Sequence, residues 1–423
     1  MADTFGALLR ESRNAVGMSL GELARRINYS KSQVSKIENG RKPPTAMFAK
    51  LCDRVLKTGG TLVAAIPPAG APRATEPTAG PVAGDDGVWI MELDDTGDVR
   101  ISEMPRRQIL AGAGAMLGLA ITGGRRPEID ERTFAVLRAT FDQHRMLGTM
   151  ASPRVVLAPV VAHLHTLRAL AADNPEPMRS NLLQLASRVA EYAGWMSQEA
   201  GHDTAALRWT ERAVGYAAAG RDPHLASFAL FRRAEIALYQ PNPMRTIELA
   251  RQAQDDPAAG PRILGLAARV EAQGHALAGD QDAYERTLDR AAGLLATRDP
   301  GVGPVLGSAS VTDEVALVRG WSLYDLGHPR EAAEILAGQV AAIPPTARRA
   351  RTRFDTRRAL AHAVAGDIDE ACTVTRGLLD DVVQVDSATI RRDLADLART
   401  LRRWHNHPEV RDLLPDLVTT LNV

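Results

Sequence analysis

Residues Met18–Thr45 read MSLGELARRINYSKSQVSKIENGRKPPT and contain two helix-start signals, eleven residues apart. Each of the tetrapeptides Ser19–Glu22 and Ser30–Gln33 places a serine three residues before a glutamate or a glutamine, which is the capping-box pattern. Gly40 lies where the second helix would end. The stretch therefore predicts two short capped helices joined by a tight turn.

The second of these helices is predicted to have a polar outer face. Placing Val34 and Ile37 toward the core turns a group of small hydroxyl and ammonium side chains away from it. This group consists of Lys31, Ser32, Ser35 and Lys36. A helix N-terminus with such side chains can approach DNA closely, so the pair of helices predicts a helix-turn-helix that enters a major groove. A further amphipathic helix is expected over 5–16, ended by Gly17.

Positive charge is concentrated in the same region. The whole chain has 423 residues, with 51 basic and 51 acidic side chains, but the first sixty residues hold eleven basic and five acidic ones. The five lysines of the chain, Lys31, Lys36, Lys42, Lys50 and Lys57, all lie there. A basic N-terminal region favours nucleic acid as its partner. The alternative is a small helical bundle whose basic face is merely solvated.

The opening stretch resembles the helix-turn-helix domain of the Cro and phage-repressor type, the XRE family. The resemblance covers roughly residues 5 to 60, and it lies in the capping serine, the spaced Leu-Ala, the small turn, the Ile-Glu-x-Gly end and the basic-proline tail. It implies base contacts from Lys31, Ser32 and Lys36, and phosphates near Ser19, Ser30, Asn39 and Arg41. Gln33 and Ser35 complete the expected DNA-binding set. The chain departs from the family at Gly21, where many members carry glutamine.

Glu38 and Asn39 are expected to have mainly structural roles. We expect Glu38 to pair within the fold with Arg10 or Arg13.

The middle of the chain separates two folding units. Residues 67–86 are rich in Pro, Gly, Ala and Thr without periodicity, so we expect a flexible linker after a DNA-binding domain over 1–66. Residues 87–124 are expected to hold a β-hairpin and an apolar helix. The apolar run 109–121 follows two arginines but has thirteen residues, against about 20 for a bilayer span. A docked interdomain helix without stable membrane insertion is expected; a membrane-associated segment or a processed signal is the alternative.

Residues 125–423 contain a repeat. Gly201, Gly279, Gly327 and Gly366 each lie between two helical patterns; the last two are 39 residues apart and the first two are 78 apart. This pattern resembles tetratricopeptide repeats, somewhat lengthened. The resemblance implies stacked helix pairs with a concave face lined by first helices, which would sense a ligand and pair two subunits.

With an XRE-type domain followed by such a repeat array, the chain is similar to actinobacterial XRE regulators and to the peptide-sensing regulators of Gram-positive bacteria. In the peptide-sensing class, asparagine side chains hold the peptide, and this array offers mainly Asn181 and Asn242 for that role. Arginines are more abundant, and an anionic group would suit Arg188, Arg232, Arg233 or Arg357. For any one of them, a solvated helix surface is the alternative.

No pattern in the sequence predicts catalysis. The pairs His163/His165 and His405/His407 are two residues apart, so on a helix their rings would point in different directions. We expect no metal, no cofactor and no enzyme activity, since phosphate-loop and dinucleotide fingerprints are missing as well. Two cysteines in separate helical units indicate no disulfide and favour the cytoplasm.

The sequence thus predicts an all-α protein with an N-terminal helix-turn-helix bundle, a linker with a small β-hairpin, and a C-terminal α-solenoid. We expect a cytoplasmic, homodimeric transcription regulator that binds a palindromic double-stranded DNA operator and responds to a peptide, a small molecule or a protein. The alternative is an interaction scaffold of the antitoxin or anti-activator type with secondary DNA binding. A membrane-tethered regulator would rest solely on residues 109–121.

Overall fold

A computed structural model of the chain describes residues 5–66, 88–93, 99–104, 128–222, 225–257, 259–297 and 313–422, with backbone only for the two segments between 88 and 104. The expected linker over 67–86 and the apolar run 109–121 lie outside the described residues.

The N-terminal domain, here called the head, is a bundle of short helices. They are α1 (Phe5–Ala15), α2 (Leu20–Arg26), α3 (Lys31–Glu38), α4 (Ala46–Leu56) and α5 (Thr61–Ala64). The Ser19 and Ser30 hydroxyls accept hydrogen bonds from the backbone N–H groups three residues on, as the capping pattern predicts. Glu22 does not return to the cap, because its carboxylate pairs with Arg26 at 2.8 Å.

Two strands follow the head, β1 (Val88–Leu93) and β2 (Val99–Met104). They pair antiparallel, with Met91 opposite Ile101. The connection over 94–98 and the side chains of both strands lie outside the described part of the chain.

The C-terminal region, here called the array, is built from consecutive helices that pack on their neighbours along the chain. The first eight are α6 (Glu131–Gly148), α7 (Pro153–Asp173), α8 (Met178–Glu199), α9 (Asp203–Ala219), α10 (Leu225–Tyr239), α11 (Pro243–Gln254), α12 (Pro261–Ala278) and α13 (Gln281–Ala296). They are followed by α14 (Glu314–Asp325), α15 (Pro329–Ala342), α16 (Arg348–Ala365), α17 (Ile368–Val385), α18 (Ala388–Leu401), a 3-10 turn (Arg402–Trp404) and α19 (Pro408–Asn422). Helical pairing makes the region repeat-like.

The glycines found by their spacing lie at the turns within four of these pairs. Gly201, Gly279, Gly327 and Gly366 have φ between +84° and +90°, a backbone region that glycine adopts without the steric cost of a Cβ atom. The pair α10/α11 has a different turn, in which Asn242 caps α11 by accepting from the backbone N–H of Arg245. A pair whose turn lacks the glycine therefore lies between the pairs marked by Gly201 and Gly279.

The array curves until its far end meets its beginning. Arg349, at the start of α16, donates to the carbonyl oxygens of Gly148 and Ala151 in the turn after α6. It also pairs with Glu199 at the end of α8, at 2.9 Å. Ser387 donates to the same carboxylate, at 2.7 Å. These contacts between distant parts of the chain close α6–α18 into a ring.

The head packs directly against the array. Phe48 and Cys52 of the head belong to the same buried apolar cluster as Val364 and Cys372 of the array. Both cysteines are buried free thiols. The two folding units expected from the sequence therefore share one core.

Helix α7 is, among the described residues, the one helix long and apolar enough to cross a bilayer by length and composition. Its Val156, Val160 and Leu164 side chains are buried in the core of the array. One such helix is weak evidence for a membrane span, since core helices of soluble proteins have the same length and composition; 39% of its apolar window is buried.

Candidate nucleic-acid interface and interior cavity

Helix α3 presents the polar face that its sequence predicts. Val34 and Ile37 are buried in the head, with 0% and 4% of their surface exposed. Three side chains on the other side are exposed in the full chain, namely Lys31, Ser32 and Lys36. Ser35 and Gln33 are half-buried beside them. The outward face of α3, meaning Lys31, Ser32 and Lys36, is therefore free of cover from any described residue.

The two capping serines can still reach a phosphate. Each of the Ser19 and Ser30 oxygens accepts a backbone N–H, and a hydroxyl has a proton to donate at the same time. Both side chains are exposed. A phosphate oxygen at the start of α2 or α3 would accept that proton and lie at the positive end of the helix dipole.

Asn39 is exposed, but its side chain is hydrogen-bonded within the head. Its amide nitrogen donates to the carbonyl oxygen of Ser35 at 2.8 Å, and its amide oxygen accepts from Arg10 at 2.6 Å. This side chain fixes the end of α3 and the Arg10 guanidinium, so any contact with a phosphate requires these bonds to be shared or exchanged.

Glu38 joins α3 to α1. Its carboxylate accepts from Arg10 at 2.9 Å and from Arg13 at 2.8 Å, which confirms the expected pairing and extends it to both arginines. Burial alone would raise the pKa of Glu38, but the hydrogen bonds from Arg13 and Arg10 lower it. A Cβ atom on Gly6 would lie 2.4 Å from the Glu38 carbonyl oxygen, so the close packing of α1 on α3 requires glycine there.

The basic tail after α3 is fixed by its backbone. The N–H groups of Arg41 and Lys42 donate to the carbonyl oxygen of Lys36 at 2.8 and 3.2 Å, and both side chains are exposed. Lys42 was not among the predicted contacts, although its position next to Arg41 in a basic stretch is a signal for it. The tail adds two cations at the C-terminal end of the outward face.

Residues 4–66 match the helix-turn-helix domain family. The comparison with curated proteins gave no match. The head is therefore a helix-turn-helix domain. This supports a DNA-binding regulator whose DNA-binding domain is the N-terminal one.

The helix-turn-helix head docks on the array through residues that lie outside the outward face. The amide of Asn28, in the turn between α2 and α3, donates to the carbonyl oxygen of Ala365 at 2.9 Å, and Arg54 donates to that of Gly327 at 2.6 Å. Three glycine turns of the array lie against the head. A Cβ on Gly366 would be 3.1 Å from Asn28, one on Gly327 would be 3.6 Å from the carbonyl oxygen of Lys50, and one on Gly279 would be 3.9 Å from Val63.

Lys50 belongs to this docking surface and not to the basic DNA-facing charge counted from the sequence. It is 6% exposed, and its ammonium lies 3.4 Å from the carbonyl oxygen of Ala276. Burial lowers the pKa of Lys50, opposed by the negative charge of Asp325 in α14. Burial likewise raises the pKa of Asp325, opposed by Lys50, by Arg357 and by a hydrogen bond from Trp321.

A cavity of about 410 Å³ lies inside the ring. Its walls come from the six helices α6, α8, α10, α12, α14 and α16, which are the first members of successive pairs. Much of the wall is aromatic, including Phe141, Tyr192, Trp195, Phe231, Tyr239 and Trp321. The volume and the apolar lining are in the range of small-molecule pockets.

The arginines of the cavity wall are paired within the protein. Arg145, Arg188, Arg232, Arg269, Arg349 and Arg353 each have a carboxylate oxygen within 4.0 Å. Glu199 pairs with two of them, Arg349 and Arg353. Burial would raise the pKa of Glu199, but the charges of Arg353 and Arg349 and the Ser387 hydrogen bond lower it to about 2. The wall therefore holds many charged groups, but because they are paired with each other, little charge is left to attract an ion.

The predicted ligand-binding residues are only partly gathered at this cavity. Arg188 and Arg232 line it. Arg357 is one layer behind the wall, with its guanidinium 3.2 Å from the centre of the Trp321 ring. The other three do not line it: Asn181 is half-buried elsewhere on α8, Asn242 is a helix cap, and Arg233 pairs with Glu211 at 3.2 Å on the surface.

The aromatic wall was missed because its members are far apart in the sequence. The signal that was available is the placement of aromatic residues on first helices, such as Tyr192 and Trp195 on α8 and Trp321 on α14. Among the described residues, no group of three His, Cys, Asp or Glu side chains is placed to hold a metal ion. His163 is buried while His165 is exposed, so these two rings do not converge.

Proposed function

We propose that the chain is a transcription regulator of the XRE type, whose head binds a palindromic operator and whose tetratricopeptide-like array senses an effector. The observation that carries the proposal is that the outward face of the head is separate from the residues that hold the array. Lys31, Ser32 and Lys36 stay exposed in the full chain, while Asn28, Lys50 and Arg54, outside that face, contact the array. DNA and array can therefore engage the head at the same time.

Each subunit supplies one recognition helix, and one such helix reads only a half-site. We therefore propose a homodimer, paired through the array, that places two copies of α3 in successive major grooves about 34 Å apart or at a multiple of that spacing. The site of action is the cytoplasm, where the DNA is. The proposal assigns no catalytic step and no cofactor to either domain.

The array would act on DNA binding by stabilising one placement of the head. Trp321 in the cavity wall donates to Asp325, and Asp325 is the charged partner of Lys50 in the head. A ligand that moves Trp321 would thus change the environment of Asp325, the residue whose charge acts on Lys50 of the docked head. Such a ligand shifts DNA affinity only by the difference in its own affinity for the two placements.

The test is selection from random duplex DNA by the full-length chain at physiological salt, followed by sequencing. We expect a palindromic consensus and a dimer on the DNA by sedimentation. Recovery of DNA without a consensus would support the scaffold alternative, in which the array binds a protein and DNA binding is secondary.

A further inference from the structure

The interior cavity shows which class of small molecule the array would bind. This inference rests on the proposed sensing role of the array, but it concerns the cavity alone. Three properties of the wall bear on it: the closed ring around the cavity, the aromatic surfaces, and the balance of charge.

The ring makes the cavity a compact space. A groove that binds an extended peptide is open along its length and offers amide side chains to the peptide backbone. Here the contacts of Arg349 with Gly148, Ala151 and Glu199 join the two ends of the array. The two asparagines expected to hold a peptide, Asn181 and Asn242, are not in the wall. The geometry favours a small molecule over a peptide.

The aromatic side chains are held in place by arginines. The guanidinium groups of Arg269, Arg349 and Arg353 lie 5.8, 5.9 and 5.4 Å from the ring centres of Phe231, Trp195 and Tyr239. Cation–π contacts of this kind fix the orientation of a ring. Rings so fixed give flat surfaces, against which a planar aromatic molecule stacks or packs edge to face.

The charge of the wall is already neutralised. Every arginine that lines the cavity has a carboxylate partner, as described above. A charged ligand would have to separate one of these partly buried pairs, which leaves an uncompensated charge. An uncharged ligand leaves them intact.

Gln273 provides a polar group for the ligand. Its side chain lines the cavity and is 3% exposed, and its amide nitrogen has no hydrogen-bond partner among the described residues. A buried donor without a partner costs free energy, and an oxygen atom of a ligand would recover it once the Gln273 amide, whose nitrogen is fully buried, turns toward the cavity. This amide would select molecules with a carbonyl or hydroxyl oxygen.

We propose that the cavity binds a planar, uncharged, polycyclic aromatic molecule whose oxygen atom accepts a hydrogen bond from Gln273. Stacking against the aromatic wall supplies the affinity, and the amide orients the molecule.

The test uses full-length protein and three uncharged planar ketones, flavone, acridone and fluorenone, as probes. Binding is followed by quenching of tryptophan fluorescence and by thermal shift, with anthraquinone-2-sulfonate and a mixture of heptapeptides as the competing classes. We expect at least one ketone to bind one molecule per chain and to outcompete both other classes. Failure of all three ketones, or tighter binding of the sulfonate or of a peptide, would overturn the proposal.

Three variants locate the binding. Gln273→Leu keeps the side-chain size and should weaken the ketone about tenfold, the effect of one lost hydrogen bond. Ala350→Phe adds bulk at the cavity wall and should abolish binding. The matched control is Gln252→Leu on the exposed surface of α11, which should leave the affinity unchanged. Equal affinities in all four proteins would place the ketone outside the cavity.

The outcome for DNA is measured separately. If a ketone binds in the cavity but operator affinity is the same with and without it, the ligand class stands and the sensing role fails. If the protein selects no operator at all, the proposed function fails, while the fluorescence result still decides the ligand class.

Discussion

The outward face of the head and the wall of the cavity are both rich in cations, but they use them in opposite ways. Lys31 and Lys36 are exposed and have no carboxylate partner among the described residues. The arginines of the cavity wall are paired with carboxylates. Lysine is a strongly hydrated point charge, and arginine has a planar fork that suits buried ion pairs. Charge is therefore kept available where a polyanion would bind and is neutralised where the fold must close.

Breaking a buried ion pair of the array should change the stability of the protein more than any other substitution. Glu199→Gln removes the carboxylate that pairs with both Arg349 and Arg353, and it leaves these two buried guanidinium groups without that partner. We expect a loss of about 3–5 kcal/mol in the free energy of unfolding, measured by urea denaturation. Glu211→Gln removes an exposed partner of Arg233 and should cost under about 1 kcal/mol. Equal losses would show that ring closure does not depend on Glu199.

The pH dependence of the same residue follows from its shifted pKa. The pKa of Glu199 is lowered in the fold to about 2, from 4.5 for an unperturbed glutamate. As the pH falls, the carboxylate of Glu199 is therefore protonated in the unfolded chain before it is protonated in the folded chain. The stability that its charge contributes is complete above about pH 4.5 and is lost as the pH falls toward 2. The stability difference between wild type and Glu199→Gln should shrink over that interval. A constant difference from pH 6 to 3 would contradict the assignment.

Lys50 is the lysine of the head that behaves like the arginines of the array. It is buried and interacts electrostatically with Asp325, so it tests whether an internal charge interaction helps to dock the head. Lys50→Met and Asp325→Leu should each destabilise the protein, because each leaves one buried charge, and the double variant should recover about 1–3 kcal/mol of the summed loss. A double-mutant cycle in urea measures this coupling. Strict additivity would show that the two charges do not interact.

On the outward face, a change should affect DNA and not stability. Lys36→Met should lower operator affinity by about 1–3 kcal/mol, or about fivefold to 150-fold, and alter the base preference at one position of the site. The matched control is Lys57→Met, which removes an exposed lysine at the end of α4. Both variants should unfold at the same urea concentration as wild type. Equal losses of affinity in the two variants would mean that only the net charge of the head matters.

The features that could be predicted from the sequence are those with local causes. The Ser19 and Ser30 caps depend on residues three positions away, and the burial of Val34 and Ile37 follows from helical periodicity. The glycine turns of the array were visible for the same reason. The contact of Arg349 with Glu199 joins residues 150 positions apart, and the docking of Asn28 on Ala365 joins residues 337 apart. Nothing in local spacing indicates which distant surfaces meet, so the closed ring and the docked head became visible only in three dimensions.

The smallest expected effect concerns Gly21, where the chain lacks the polar side chain found in many helix-turn-helix domains of the XRE type. The nearest atom to a Cβ at this position is the Cδ of Lys31, at 4.0 Å, so a side chain fits without a clash. Gly21→Gln should stabilise α2 by about 0.5–1 kcal/mol, because glycine is a poor helix former. An amide here would also reach a phosphate beside Ser19, and we expect operator affinity to rise by up to about tenfold, the value of one hydrogen bond. Gly21→Ala separates the two effects, since it stabilises the helix without adding a donor. If both variants raise affinity equally, the gain comes from helix stability; if only glutamine does, α2 lies against the DNA backbone with its N-terminus toward a phosphate.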